Sequence, residues 1–261
     1  MDIKKTHSDI VAWIKDWFSD KPNGKAVIGI SGGKDSAVCA GLLVEALGKE
    51  RVVGVLMPNG EQKDISDSYK VCEYLGVKPI VVNIGGTYEE ITSAVLNGLG
   101  KELEKMPALY TTNTPARLRM VTLYGIAACV GGFVCNTCNL SEDWIGYSTK
   151  WGDAVGDFSL LNKLTKTEVV ALGDEMGLPK DLVHKTPSDG MCGKSDEDNL
   201  GFTYDQLDRY IRSRFSWGDI DTSDIPQEVI EKINRMHNSD NNRYKCVPLQ
   251  CPFLYGLCTA Y

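Results

Sequence analysis

The spacing of apolar residues changes repeatedly along the chain, and each change marks an element. From Ile3 through Ile10, Val11 and Ile14 to Phe18 it follows the 3.6-residue repeat of a helix with one buried stripe, ended by the polar stretch 20–24. Residues 27–30, Val-Ile-Gly-Ile, are a short unbroken apolar or small run, which predicts a buried strand. Residues 37–47 read as a helix stopped by Gly48. Residues 51–57 give a second strand, closed by Pro58-Asn59-Gly60. Residues 64–75 form a helix with Ile65, Tyr69, Cys72 and Leu75 on one face and Gly76 as its cap. A third strand over 79–84 and a helix over 87–103, with Thr87 as N-cap, follow. Residues 105–112 lack periodicity and read as a mobile loop. Thr114-Pro115 predicts the next helix start, with proline at the first position, and that helix runs to Gly131-Gly132. Residues 133–136 are a fourth strand and 164–176 a helix. Residues 185–199 are a polar loop suited to a lid, and 204–215 and 226–238 are late helices.

Strands alternating with helices through short turns predict an α/β fold: a doubly wound, mostly parallel sheet flanked by helices. Ligands in such sheets bind outside the carboxyl ends of the strands. No repeat or long linker interrupts the pattern, so residues 1–261 are expected to form a single domain.

Composition narrows the class without choosing a function. The chain has 261 residues, 43% hydrophobic and 24% charged, which is ordinary for a globular protein. A net charge of -7 argues against a nucleic-acid surface. No apolar run is long enough to cross a membrane and the N-terminus does not resemble a signal peptide, so a cytoplasmic protein is expected. Nine cysteines then read as reduced thiols. Cys135-Asn136-Thr137-Cys138 has no second pair at zinc spacing, and a structural or incidental role is expected for it.

The chemistry concentrates where the first strand turns into its helix, at Ile30-Ser31-Gly32-Gly33-Lys34-Asp35-Ser36-Ala37. A serine- and glycine-rich turn at a helix N-terminus directs free N–H groups and the positive dipole end at one spot, which suits an anion. Asp35 would repel a bare phosphate there. The combination fits a polyphosphate chelated to a divalent cation, most simply ATP. Neither G-x-x-x-x-G-K-[ST] nor G-x-G-x-x-G is present. Ser-Gly-Gly-x-Asp-Ser resembles the pyrophosphate loop of ATP pyrophosphatases, which adenylate a substrate oxygen.

Further segments follow in a definite order. They are Ala116-Arg117-Leu118-Arg119-Met120, residues 136–142 ending in Ser141-Glu142, and residues 146–153 containing Lys150, with Asp157 beyond. Leu164-Thr165-Lys166-Thr167-Glu168, Lys185-Thr186-Pro187-Ser188-Asp189-Gly190 and residues 195–201 complete the series. Together with the turn they closely resemble the ammonia-dependent NAD synthetases over about residues 28–248. The resemblance implies an adenine-nucleotide α-hydrolase-like fold and amidation of deamido-NAD in two steps. ATP adenylates the nicotinate carboxylate and releases pyrophosphate; ammonia then displaces AMP.

Position by position, the resemblance implies ATP contacts from residues 30–37, Leu56, Thr137, Lys166 and Ser188, where the family commonly has threonine. It implies magnesium on Asp35 and Glu142, and catalytic roles for Asp35 and Lys166. Deamido-NAD contacts fall on Arg117, Lys150, Asp157 and, in place of a His-Lys pair, Tyr244-Lys245. It also implies a homodimer with the dinucleotide site at the interface, with the stripe of the first helix or the 114–131 helix as the contact. No membrane or nucleic-acid partner is expected, and the length leaves no room for an added glutamine amidohydrolase domain. Taken singly, Glu142 reads more simply as a first-turn carboxylate favoured by the helix dipole, and Lys150, Lys166 and Arg117 as solvated surface charges. The alternatives are a tRNA-thiolating pyrophosphatase, for which the Cys135/Cys138 pair is a foothold, and a nucleotide sensor without turnover.

Overall fold

The computed structural model describes residues 1–100, 106–185, 196–215 and 219–239. In chain order its elements are α1 (Ile3–Trp17), β1 (Lys25–Gly29), α2 (Lys34–Leu47), β2 (Val52–Leu56), α3 (Ile65–Leu75), β3 (Ile80–Val81), α4 (Gly85–Leu99), α5 (Ala108–Val130) and β4 (Gly132–Asn136). They continue with α6 (Leu140–Ile145), β5 (Phe158–Ser159), α7 (Lys166–Glu175), α8 (Lys180–Val183), α9 (Asp196–Leu200), α10 (Tyr204–Arg214) and α11 (Gln227–His237).

The strands form one parallel sheet in the order β3-β2-β1-β4-β5. The chain builds outward from β1 through β2 to β3, then returns to the other side of β1 with β4. The switch point therefore lies between β1 and β4, and the crevice outside their carboxyl ends is where this topology places ligands. Ala26, Val27 and Ile28 of β1 are fully buried because helices cover both faces of the central strand.

On one face α1, α2 and α7 pack with the sheet around Ile10, Ile14, Ile28, Val38, Leu42, Leu161 and Leu172. Trp17, Phe18, Phe133 and Phe158 cluster beside this core, Trp17 edge to face with Phe18 and Phe133, Phe18 edge to face with Phe158, and Trp17 tilted against Phe158. The other face is covered by α5 through Leu123, Tyr124 and Ala127 against Val27, Val55 and Val134. A second cluster joins α6, α10 and α11 around Leu140, Trp144, Leu207, Ile211 and Ile233.

Several sequence expectations change. The helix expected from Thr114-Pro115 begins at Ala108, with Pro107 as its N-cap, and Pro115 lies inside it. The amides of Tyr110 and Thr111 already bond to Pro107 O, so the earlier proline starts the helix and residues 108–112 are not a loop. α4 begins at Gly85 rather than Thr87, because the Asn83 carboxamide oxygen accepts from Gly85 N at 2.9 Å and Gly60 N at 3.0 Å and anchors that start. It ends at Gly100 in the left-handed region, short of residue 103. Of the expected lid, residues 186–195 lie outside the described residues, Lys185 is ion-paired to Asp64 and Asp67, and Asp196–Leu200 is helical. The apolar stripe of α1 is buried inside the chain, so it is not available as an interface. No helix among the described residues is long and apolar enough to cross a membrane.

Candidate active site

β1 delivers Ile30, buried and bonded to Val55 O, to the switch point, and Ser31-Gly32-Gly33 turn the chain into α2. The turn is held by its own serines. Ser31 Oγ and Ser36 Oγ lie 3.2 Å apart, Ser36 Oγ donates to Gly33 O at 2.9 Å, and Gly33 N donates to Ser31 Oγ at 3.3 Å. Gly32 has φ +78, and a Cβ there would lie 2.8 Å from Ser68 N and 2.9 Å from Asp67 Cβ. Only glycine combines that backbone with that proximity. α2 starts at Lys34, three residues earlier than residue 37, so Lys34, Asp35 and Ser36 form its first turn and Ala37 is buried behind them. Burial, followed by the nearby Lys166 charge, lowers the pKa of the Lys34 ammonium.

Across the crevice, α6 and α7 start side by side. Asn139 caps α6: its side chain accepts from Glu142 N at 3.1 Å, while Glu142 Oε2 accepts from Asn139 N at 3.4 Å. Glu142 is therefore the first-turn carboxylate of a capping box and also faces the crevice with its other oxygen. Lys166, the first residue of α7, sends Nζ to Asp35 Oδ2 at 3.0 Å and Glu142 Oε1 at 2.7 Å. Asn139 Nδ2 donates to Asp35 Oδ1 at 2.9 Å. Three charged side chains from three elements thus meet at one point. Burial pushes the Glu142 carboxyl up to about 7 against the opposing pull of Lys166. Burial opposes the charge of Lys166 too, but Asp35 and Glu142 outweigh it and hold the ammonium well above the usual lysine range.

The Asp35 and Glu142 oxygens that share the Lys166 ammonium are hard donors within reach of a common cation. Among the described residues no group of three or more His, Cys, Asp or Glu side chains is placed to hold a metal. A cation here would take its remaining ligands from phosphate and water, which is how magnesium is ordinarily held.

The NAD synthase family model matches residues 6–247. This chain belongs to the NAD synthase family. The NH(3)-dependent NAD(+) synthetase of Pyrococcus furiosus is 35% identical over 241 residues, 90% of this chain and 91% of that one. That of Alkaliphilus metalliredigens is 34% identical over 254 residues, covering 95% and 99%. Among solved structures, the NMN synthetase from Francisella tularensis superposes with a TM-score of 0.81 at 29% identity, covering 97% of this chain and 100% of that one.

The remaining positions singled out by resemblance to this NAD synthase family are dispersed. Thr137 is half-buried directly beyond β4, on the switch-point side. Leu56 is 1% exposed, so its side chain belongs to the core and only its backbone borders the crevice. Arg117 is exposed on α5 and its Nε donates to Lys150 O at 3.3 Å, which brings Arg117 and Lys150 together. Asp157 is engaged in the sheet instead: its Oδ2 accepts from Val134 N at 2.6 Å and its N donates to Val134 O at 2.8 Å. Ser188, Tyr244 and Lys245 lie outside the described residues. Cys135 and Cys138 are buried, and the Cys138 thiol donates to Asp153 O at 3.4 Å.

Sequence reasoning gave Asn139, Ser141 and Glu168 no role of their own within the segments that contain them, and did not single out Asp208 or Arg212. The Asn-x-x-Glu spacing of 139–142 and the Thr-x-x-Glu spacing of 165–168 are capping-box patterns, and they are the signal that would have drawn attention to both helix starts.

Proposed function

We propose that this chain is an ammonia-dependent NAD synthetase of a single domain, working on deamido-NAD, ATP and ammonia in the cytoplasm. The observation that carries the reading is the meeting of Asp35, Glu142 and Lys166 beside the Ser31–Gly33 turn, at the switch point of a parallel sheet. A tRNA-thiolating activity finds no support, since the matched NAD synthase model spans nearly the whole chain.

The chemistry follows from the electrophile. A carboxylate resists ammonia because its carbon is electron-rich and oxide is a poor leaving group. Attack of the nicotinate oxygen on the α-phosphorus of ATP forms the acyl adenylate and expels pyrophosphate. Ammonia then attacks the acyl carbon, the acyl–oxygen bond to AMP breaks, and the extra proton is lost to solvent. The turn of residues 31–33 and the N-terminus of α2 supply N–H donors to the polyphosphate. Ser36 keeps that turn in shape. Lys166 supplies a mobile positive charge as pyrophosphate departs. Asp35 and Glu142 would hold magnesium, which when bound neutralises phosphate charge. Thr137 and Ser188 are assigned to ATP, and Arg117, Lys150, Asp157, Tyr244 and Lys245 to the dinucleotide, by resemblance.

A homodimer accompanies this reading. α4 has no buried residue, and α5, although 23 residues long, buries only Pro115 and Ala127. Ile91, Leu99, Leu109 and Val121 are exposed on these neighbouring helices. Arg117 and Lys150 border that face, so a partner docked there would complete the dinucleotide site.

The likeness to the NMN synthetase of Francisella tularensis favours a second acceptor for the same chemistry, a mononucleotide with the same nicotinate carboxylate. The test is to incubate the protein with ATP, magnesium and either deamido-NAD or nicotinate mononucleotide, adding ammonium or glutamine. Amide product with equimolar AMP and pyrophosphate from ammonium is expected, fastest with deamido-NAD. Absence of AMP and pyrophosphate with both acceptors would sink the reading. Faster turnover of the mononucleotide would transfer it to that substrate.

A further inference from the structure

α6 and α7 contribute Glu142 and Lys166 to the crevice, yet neither helix N-terminus is fixed by the sheet alone. Both are joined to α10. Asp208 sits in the middle of α10, 3% exposed. One of its oxygens accepts the Ser141 hydroxyl, and the other accepts the Thr167 amide at 2.8 Å. Ser141 Oγ in turn accepts the Lys166 amide at 2.9 Å. Ser141 immediately precedes Glu142, and Thr167 immediately follows Lys166. A single carboxylate therefore sets the distance between the backbones that carry the two crevice side chains.

The same face of α10 repeats the contact one turn to either side. Four residues before Asp208, the Tyr204 ring lies under the Lys166 ammonium at 5.1 Å from its centroid. Four residues after, Arg212 grips Glu168 with Nε at 2.8 Å and with Nη2, and Nη2 also reaches Lys163 O at 3.0 Å. Tyr204, Asp208 and Arg212 form an i, i+4, i+8 stripe directed at the start of α7. Burial raises the Asp208 carboxyl to about 6 against the pull of its hydrogen bonds, so ionising it toward neutral pH costs the fold stability. Donors converge on it from two different helices, the Ser141 hydroxyl from one and the Thr167 amide and side chain from the other, and a carboxylate is the side chain that offers an acceptor to each helix.

We infer that Asp208 is a positioning residue for the adenylation chemistry: through Ser141 and Thr167 it holds Glu142 and Lys166 in register across the crevice. Both of its oxygens are engaged by Ser141 and Thr167, so it acts through those residues. The inference rests on the proposed reaction for its catalytic consequence, but the clamp itself is measurable without turnover.

The experiment compares wild type with Asp208→Ala, Asp208→Asn and Ser141→Ala. Asparagine can accept the Thr167 amide and donate to Ser141 Oγ, so it keeps the clamp; alanine cannot. Amide hydrogen exchange should show Lys166 and Thr167 exchanging at least about tenfold faster in Asp208→Ala, with α1 and α2 unchanged. In steady-state assays kcat should fall by about ten- to a hundredfold while the KM for ATP stays within about twofold, and Asp208→Asn should recover to within about threefold of wild type. If Asp208→Ala fails to fold, Ser141→Ala decides, because it severs the link to the Lys166 amide while leaving Asp208 bonded to Thr167. Unchanged exchange at 166–167 in Ser141→Ala or in folded Asp208→Ala overturns the clamp. Equal impairment of the alanine and asparagine variants overturns it as well. A wild type without ligase activity would remove the proposed reaction and leave the exchange result to stand or fall alone.

Discussion

Asp35 accepts from Asn139 with one oxygen and from Lys166 with the other, so replacing it separates charge from shape. Asp35→Asn keeps the volume and the start of α2 but turns an amide toward one of two donors. The expected result is turnover lowered by at least about a hundredfold, with secondary structure retained by circular dichroism. Asp208 makes the opposite prediction for stability. Its carboxyl titrates near 6 when folded against 3.8 for an ordinary aspartate. Between those values the unfolded chain has released its proton and the folded chain has not, so wild-type stability falls as pH rises through this window. The loss amounts to about 3 kcal/mol above pH 6 and is absent below about pH 4. Asp208→Asn lacks the titration, so its stability relative to wild type should climb by up to about that amount between pH 4 and 7 in urea unfolding. A difference independent of pH would contradict the assignment. Asp35 was legible in the sequence because a fixed turn announces it. Asp208 was not, because it sits among Asp205, Arg209 and Arg212 in a helix of mostly polar composition, and only the fold distinguishes its buried face from the surface pair Arg209–Asp205.

The turn of residues 31–33 depends on α3 as much as on its own sequence. Because Gly32 presses against Ser68 N and Asp67 at a positive φ, Gly32→Ala should cost about 1–3 kcal/mol and raise the KM for ATP severalfold, as thermal denaturation and initial rates would register. Other elements differ in how plainly the chain announced them. Central strands were legible because unbroken apolar runs admit little else, and helix ends because glycines such as Gly76 and Gly131 adopt the left-handed conformation. The start of α5 was not. Pro107 and Pro115 carry the same local signal, and the choice between them follows from helix formation at Pro107, which leaves Pro115 to forgo one backbone bond inside the helix. β5 is two residues long, too short for any periodicity to reveal.

On the scale of the whole molecule, the two sheet faces are unequally covered. α1, α2 and α7 bury one face deeply, whereas α5 leaves Val121 60% exposed and Leu109 75% exposed. Val121→Glu should convert the proposed dimer to a monomer in light scattering and lower activity, because in that arrangement Arg117 and Lys150 would lose an adjoining subunit. A variant that stays dimeric and fully active would place the interface elsewhere. The Lys166 bridge has a thermodynamic corollary for the whole molecule. The Lys166 ammonium already sits between the two carboxylates, so the protein carries its own counter-ion there. Magnesium chloride alone gains little by displacing that ammonium. Nucleotide carrying its cation gives the lysine a second set of anions to move to. Melting temperature should therefore rise with magnesium ATP and barely respond to the same concentration of the salt, the outcome expected of a metal and nucleotide that arrive as one ligand rather than in sequence.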